Sequence, residues 1–413
     1  MKIALLSEKY TPDLGGLAIS TGRLGEMLAA AGHDVRLFAP TLSLPPTIKQ
    51  TLRTNGVHVT RFGAHKRVDD TLVDWFELIV EEHKREPFDL IHAYFLPMAG
   101  FVGTYAGKYL GIPSVVSIRG NDIERAAFDP SKFSHVMYAL QNASAVTTNA
   151  SELAKKAKAF IDRDIHIIPN GIDTERFKPM EMNLALAEAI GLQKHVILPA
   201  PVPQVPVSEA KDLLDNRRDS SPSTKAQSDI NYAIGFVGEL REKKGLATLL
   251  SGYAQINKKI PSTLLIVGEV RESDDKKLFD EFRASNPEYR IIVTGHVPHN
   301  DLPAYYSLMD VFVHPSLRDG MPNAVLEAMA CGKTVIATPV GGVADVMTDN
   351  VNGLFVDVND AEGLAEKLAE VLSQPEKREA IGRSAREAVL SQYTLEKELQ
   401  ANLNIYESLG VKK

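Results

Sequence analysis

Two carboxylates, Asp319 and Glu327, stand with seven residues between them in the stretch 314–342, HPSLRDGMPNAVLEAMACGKTVIATPVGG. The run DVFVHPS before them reads as a buried strand. Pro322 suits the first turn of an alanine-rich helix that Gly332 can end, so the unit reads strand, loop, helix, strand. A helix N-terminus presents unpaired N–H groups and partial positive charge, which suits a phosphate. Glu327 lies one turn beyond Asn323 on the same face, and helical side chains tilt toward the N-terminus. Its carboxylate can therefore accept hydrogen bonds from ligand hydroxyls, while Asp319 approaches from the loop where a sugar beyond the phosphates would lie. Gly320, Met321, Pro322 and Asn323 complete the approach to the helix start. The arrangement fits a sugar–diphosphate–nucleoside. The blander reading is an ordinary βαβ crossover with surface acids.

The same stretch resembles the E-x7-E signature of the retaining GT-B glycosyltransferases of family 4, written E-G-x-P-x4-E-A-M-A-x-G-x-P-V-I-A-x4-G-G. Asp319 stands where the family usually has Glu, which keeps the charge and shortens the acid by one methylene. Lys333-Thr334 replaces the usual x-Pro. The resemblance implies transfer of a sugar from a nucleotide diphosphate donor with retention of configuration and without metal. It places Asp319 on the donor sugar and Glu327 on the ribose.

Several other residues take their expected roles from this resemblance. FVGELREKKG, 236–245, is similar to the family element G-R-L-x4-K-G, in which Lys244 would stabilise the leaving phosphate. Glu239 occupies the family arginine position, and Arg241 is the nearby cation that either folds back to replace it or forms a solvated turn. The family's backbone near Val297 meets the base, and its loop at Gly15 and Gly16 faces the donor phosphates and the acceptor. Glycines there also allow close backbone approach on their own physics, although G-x-G-x-x-G is absent. His92 is expected at the end of the strand DLIHAYF as a catalytic or acceptor-binding residue, against the alternative of a structural histidine. Arg119 is expected to hold an acceptor phosphate or carboxylate, or to pair with Asp122.

Not every chemical-looking cluster earns a role. Asp162-Arg163-Asp164 has a D-x-D form, but it precedes a strand, whereas a metal-binding D-x-D follows one; no metal ligand is assigned. His33 reads as structural. Lys155, Lys156 and Lys158 with Phe160 read first as a solvated helix face. The sharper alternative is weak peripheral contact with anionic lipid or a lipid-linked acceptor.

The chain has 413 residues, 44% hydrophobic and 24% charged, which suits two α/β cores. A net charge of −7 argues against nucleic acid. Cys331 is the single cysteine, which excludes an internal disulfide and a cysteine-built metal site. The start MKIALLS reads as a strand rather than a signal peptide, and the expected location is the cytoplasm, with peripheral membrane contact as the variant.

Apolar runs alternate with amphipathic segments through both halves, which predicts parallel sheets covered on both faces. The expected division is an acceptor-binding Rossmann-like domain over 1–178 and a linker over 179–230. A donor-binding Rossmann-like domain follows over 231–392, and a final helix occupies 393–413. In the linker, VILPAPV reads as a strand start and residues 213–228 as a surface loop or a regulatory insert. In the resembled family the final helix crosses back to the first domain.

The fold expected is therefore GT-B, two doubly wound domains facing a cleft. The function expected is hexosyl transfer from a nucleotide diphosphate sugar to an acceptor hydroxyl, the acceptor being a sugar, a small molecule or a lipid-linked compound. No cofactor is expected. Two rivals share the donor site: a GT-B sugar-nucleotide epimerase, and a non-catalytic protein that binds nucleotide sugar.

Overall fold

A computed structural model describes residues 1–13, 15–193 and 231–411. The strand and loop expected within 196–228 lie outside these residues.

The first sheet contains eight strands: β1 (Lys2–Ser7), β2 (Asp34–Pro46), β3 (Lys49–Thr54), β4 (Val57–Gly63), β5 (Leu90–Tyr94), β6 (Ser114–Ile118), β7 (Ala145–Thr148) and β8 (His166–Ile167). Their order is β3-β4-β2-β1-β5-β6-β7-β8. All neighbours are parallel except β3 on β4. The β3–β4 hairpin turns at Asn55 and Gly56, both at positive φ, the backbone that a tight Asn-Gly turn requires. It is an addition to the expected alternation.

The second sheet contains β9 (Tyr232–Val237), β10 (Ser262–Val267), β11 (Arg290–Val293), β12 (Val311–His314), β13 (Thr334–Ala337) and β14 (Leu354–Phe355). Their order is β11-β10-β9-β12-β13-β14, parallel throughout. The central strands are apolar at nearly every position because helices cover both faces: Ile3 to Leu6 and Phe312 to Val313 are buried. The architecture is GT-B, as expected from sequence.

Two features of this topology decide where a ligand can sit. Strand order reverses between β1 and β5 in the first sheet, and between β9 and β12 in the second. Open α/β sheets bind ligands outside the carboxyl ends of their strands at such points.

The helix Leu395–Ser408 crosses back onto the first sheet. Its Glu398, 3% exposed, accepts from Arg23 Nε at 2.9 Å and from the Gly171 backbone N–H at 2.8 Å. Tyr406 packs beside Leu5, Leu24 and Tyr94 in the first-sheet core. A buried charge is tolerated when paired and hydrogen-bonded, and this one fastens the final helix to the helix Gly16–Ala30 and the 171 turn.

Candidate active site

The loops after β9 and β12 meet at the switch point of the second sheet. Gly245 has φ +78°, and a side-chain carbon there would lie 1.9 Å from the Pro315 carbonyl oxygen. Glycine is thus required for the two loops to approach, and Leu317 N–H donates to the Lys243 carbonyl at 3.0 Å across them. The result is that Lys244 Nζ donates to Asp319 Oδ2. The same oxygen lies 3.1 Å from His314 Nε2 on the last residue of β12. Burial alone would push the Asp319 carboxyl up, but the Lys244 charge and the His314 bond outweigh it and hold it well below the usual range. Asp319 is therefore a fixed anion. His314 is buried, and its loss of hydration lowers its pKa, so it meets Asp319 as a neutral ring.

The glycine pair after β13 supports this loop from below. Gly341 has φ +56°, and a side-chain carbon there would fall 2.0 Å from the Asp319 carbonyl oxygen. Gly342 N–H donates to the Gly320 carbonyl at 2.5 Å. Beyond Asp319 the chain enters the helix Asn323–Ala330, with Pro322 one residue before its start and no side chain capping it. Met321 is buried beneath the turn.

Glu327 is 3% exposed and enclosed more tightly than its expected role suggested. His299 Nε2 lies 2.8 Å from its Oε1, and Tyr306 OH donates to Oε2 at 2.9 Å. Each carboxylate oxygen retains a lone pair for a further donor. His299 and Tyr306 carry no local sequence signal. His314 does, because it closes a strand at the sheet's switch point. Val297 lies in the loop after β11 and packs on the same apolar cluster as Met321 and Val325.

Arg241 is paired with Glu239, Nη1 to Oε2 at 3.1 Å. The two side chains expected to add or remove a cation thus neutralise each other. Gly15, at φ +121°, and Gly16 open the helix Gly16–Ala30, with open space around both.

Across the cleft, Arg119 Nη2 donates to Asn170 Oδ1 at 2.8 Å. Asn170 Nδ2 donates in turn to Asn323 Oδ1 at 2.8 Å and to the Met321 carbonyl at 3.2 Å. Arg119 lies over the Tyr94 ring at 4.6 Å, and its backbone N–H, rather than its side chain, bonds Asp122. Arg119 is therefore tied to the start of the helix Asn323–Ala330 through Asn170, a residue unassigned from sequence.

His92 requires a correction. It lies in the middle of β5 and is fully buried, with Nδ1 2.6 Å from Tyr406 OH and Nε2 2.8 Å from Ser117 Oγ. Burial, aided by the Arg119 charge, drives its pKa down to about 3. The strand is one residue pair longer past His92 than a strand-end position needs, so the ring points into the core beneath the final helix. The basic helix face is also reduced: Lys156 turns to Glu124 and Glu152, both at 2.6 Å. Among the described residues no helix is long and apolar enough to cross a membrane.

Known proteins resemble this chain in sequence and fold. The profile for group 1 glycosyl transferases matches residues 218–388, and the profile for glycosyltransferase family 4 matches residues 14–176. The chain belongs to the family 4, group 1 glycosyltransferases. A glycosyltransferase of Methanocaldococcus jannaschii, itself called uncharacterized, is 26% identical over 98% of both chains. Sucrose-phosphate synthase from Thermosynechococcus elongatus superposes with a TM-score of 0.76 at 22% identity, covering 99% of this chain and 98% of that one. HepE of Anabaena, solved with UDP-glucose, gives 0.75 at 18% identity, covering 99% and 100%. These structural likenesses show the fold. The protein is thus a glycosyltransferase, and Asp319 and Glu327 lie inside the span matched by the group 1 profile.

Proposed function

We propose that this glycosyltransferase moves a hexosyl unit from a nucleotide diphosphate sugar to an acceptor hydroxyl, with retention of anomeric configuration and without a metal ion. The observation that carries the reading is the Lys244–Asp319 contact at the switch point of the second sheet, one short loop from a helix N-terminus. A cation in contact with a fixed anion, close to a helix start, can serve a diphosphate and the sugar it carries. HepE, of the same fold, holds UDP-glucose.

In this reading Lys244 and the N–H groups at Asn323 receive the diphosphate, and Asp319 accepts hydrogen bonds from the hexosyl hydroxyls. Glu327, held by His299 and Tyr306, receives the ribose. As the bond from C1 to the phosphate oxygen breaks, the acceptor oxygen bonds to C1 from the same face. The acceptor proton passes to the departing phosphate oxygen. Negative charge grows on that phosphate in the transition state, so a preorganised ammonium there lowers the barrier. Arg119 and Gly120, which approach Gly320 closely, help exclude water, the competing acceptor.

Neither rival gains support. A non-catalytic binder needs no lysine set against the sugar-side acid, and the relatives and structures above are glycosyltransferases rather than epimerases. The test is a thermal-shift panel of UDP, GDP, ADP and NAD with their sugar derivatives, followed by single turnover with the donor that stabilises most. Ligand at a hundred times its dissociation constant stabilises by about 2.7 kcal/mol. Release of nucleoside diphosphate with sugar transfer is expected; a response to NAD alone overturns the reading.

A further inference from the structure

The switch point of the first sheet carries a cavity that the donor side does not use. It holds about 650 Å³, within the usual range for small-molecule sites. Glu8 follows the end of β1 and Phe95 follows the end of β5, the two strands between which chain order reverses. Arg67, Lys132, and Asn121 with Arg125 at the two ends of one short helix add polar wall. Asn121 Oδ1 also lies 3.5 Å from Lys243 Nζ, next to the Lys244 of the donor side, so the cavity adjoins the proposed reaction centre.

Three features mark a built site. Phe95 holds φ at +82°, a backbone that bulky residues rarely adopt and that gathers at functional sites. Glu8 is partly buried, with one oxygen accepting from the Met98 backbone N–H at 2.9 Å. Its loss of hydration raises the carboxyl to about 7. The charges are also unevenly matched. Asp69 pairs with Arg67 at 3.8 Å and Asp129 with Lys132 at 2.8 Å, while among the described residues no salt bridge holds Arg125.

We propose that this cavity receives the acceptor, and that the acceptor is a small polyhydroxylated compound bearing an acidic group, phosphate or carboxylate. Glu8 accepts a hydrogen bond from one of its hydroxyls. Arg125, with Arg67 and Lys132 at the rim, receives the acid. Val68, Pro97, Met98 and Ala126 supply apolar wall between these groups for the carbon skeleton of such a compound. The proposal rests on the transferase reading of the donor side.

The test is calorimetry on the full chain saturated with whichever nucleoside diphosphate binds. Matched probes are inositol and inositol 1-phosphate, glucose and glucose 6-phosphate, and malate. In at least one matched pair the phosphate-bearing member should bind at least about tenfold more tightly, the scale of a hydrogen bond to a charged group. Arg125→Ala should abolish that preference, and Glu8→Gln should weaken both members of the pair alike. No binding by any acid-bearing probe, or a preference that survives Arg125→Ala, overturns the proposal. Diphosphate binding, measured first in each variant, confirms that the variant folds. If the unaltered protein binds no diphosphate, it is the donor reading that has failed.

Discussion

Lys244 donates to Asp319 through the same carboxylate oxygen that His314 approaches, so one oxygen joins the loop after β9 to the last residue of β12. In the function proposed above, a donor diphosphate meets a cation whose position is already set by the acid on its sugar side. Preorganisation of this kind places charge where the transition state needs it, with little reorganisation during reaction.

Lys244→Ala should lower turnover by roughly 10²–10³-fold, with a smaller effect on diphosphate affinity. Steady-state kinetics beside calorimetry measures both. An unchanged turnover number would shift the role to Lys243, which lies within reach of the same anion.

The two carboxylates should separate by ligand. Glu327→Ala should weaken the bare nucleoside diphosphate by about 1.5–3 kcal/mol, since it leaves His299 and Tyr306 without their acceptor and removes the ribose contact. Asp319→Ala should leave diphosphate affinity nearly intact while transfer falls sharply. Asp319→Glu, the usual family residue, should remain active and shift sugar preference. Equal losses of diphosphate affinity in the two alanine variants would contradict the assignment.

His92 should prove structural. His92→Ala should lower the melting temperature while donor affinity is retained, because it empties a core site between Tyr406 and Ser117. The pH sign follows from its depressed pKa of about 3 against an unfolded value near 6.5. Its contribution to stability is full above about pH 6.5 and is lost as pH falls toward 3. Denaturant midpoints of the two proteins should therefore converge on acidification; a gap constant from pH 7 to 4 would contradict this.

Metal removal should leave the enzyme active. In the proposed mechanism the positive charge for the leaving group comes from Lys244 and a helix start, so transfer should survive EDTA. Complete loss restored by manganese would overturn that part of the mechanism.

The fold was legible because its signals are local and repeated. Strands such as β1 and β12 are apolar along their length, and helices between them keep the helical period. Asp319 and Glu327 were legible because one short segment contains both acids, the helix start and the glycines that position them. The partners that set those acids were not: His299 and Tyr306 lie on the loop and helix before β12, and Asn170 belongs to the end of the first sheet. Their contacts arise from sheet order, which no local pattern encodes. His92 misled for a related reason. It sits in the right strand, but its burial depends on Tyr406, 314 residues later, in a helix whose docking is fixed by Arg23 and Glu398. Arg241 likewise showed its charge in sequence and its partner Glu239 only in space.

Retaining transfer from a nucleotide sugar can be read without knowing the acceptor, because water can serve when no other is supplied. Proton NMR of slow hydrolysis of the best-stabilising α-linked donor, such as UDP-glucose, reads the anomer formed before mutarotation. Release of nucleoside diphosphate with the α-sugar appearing first is the predicted result. The β-sugar appearing first would rule out retention, and no release of diphosphate from any donor that binds would rule out transfer.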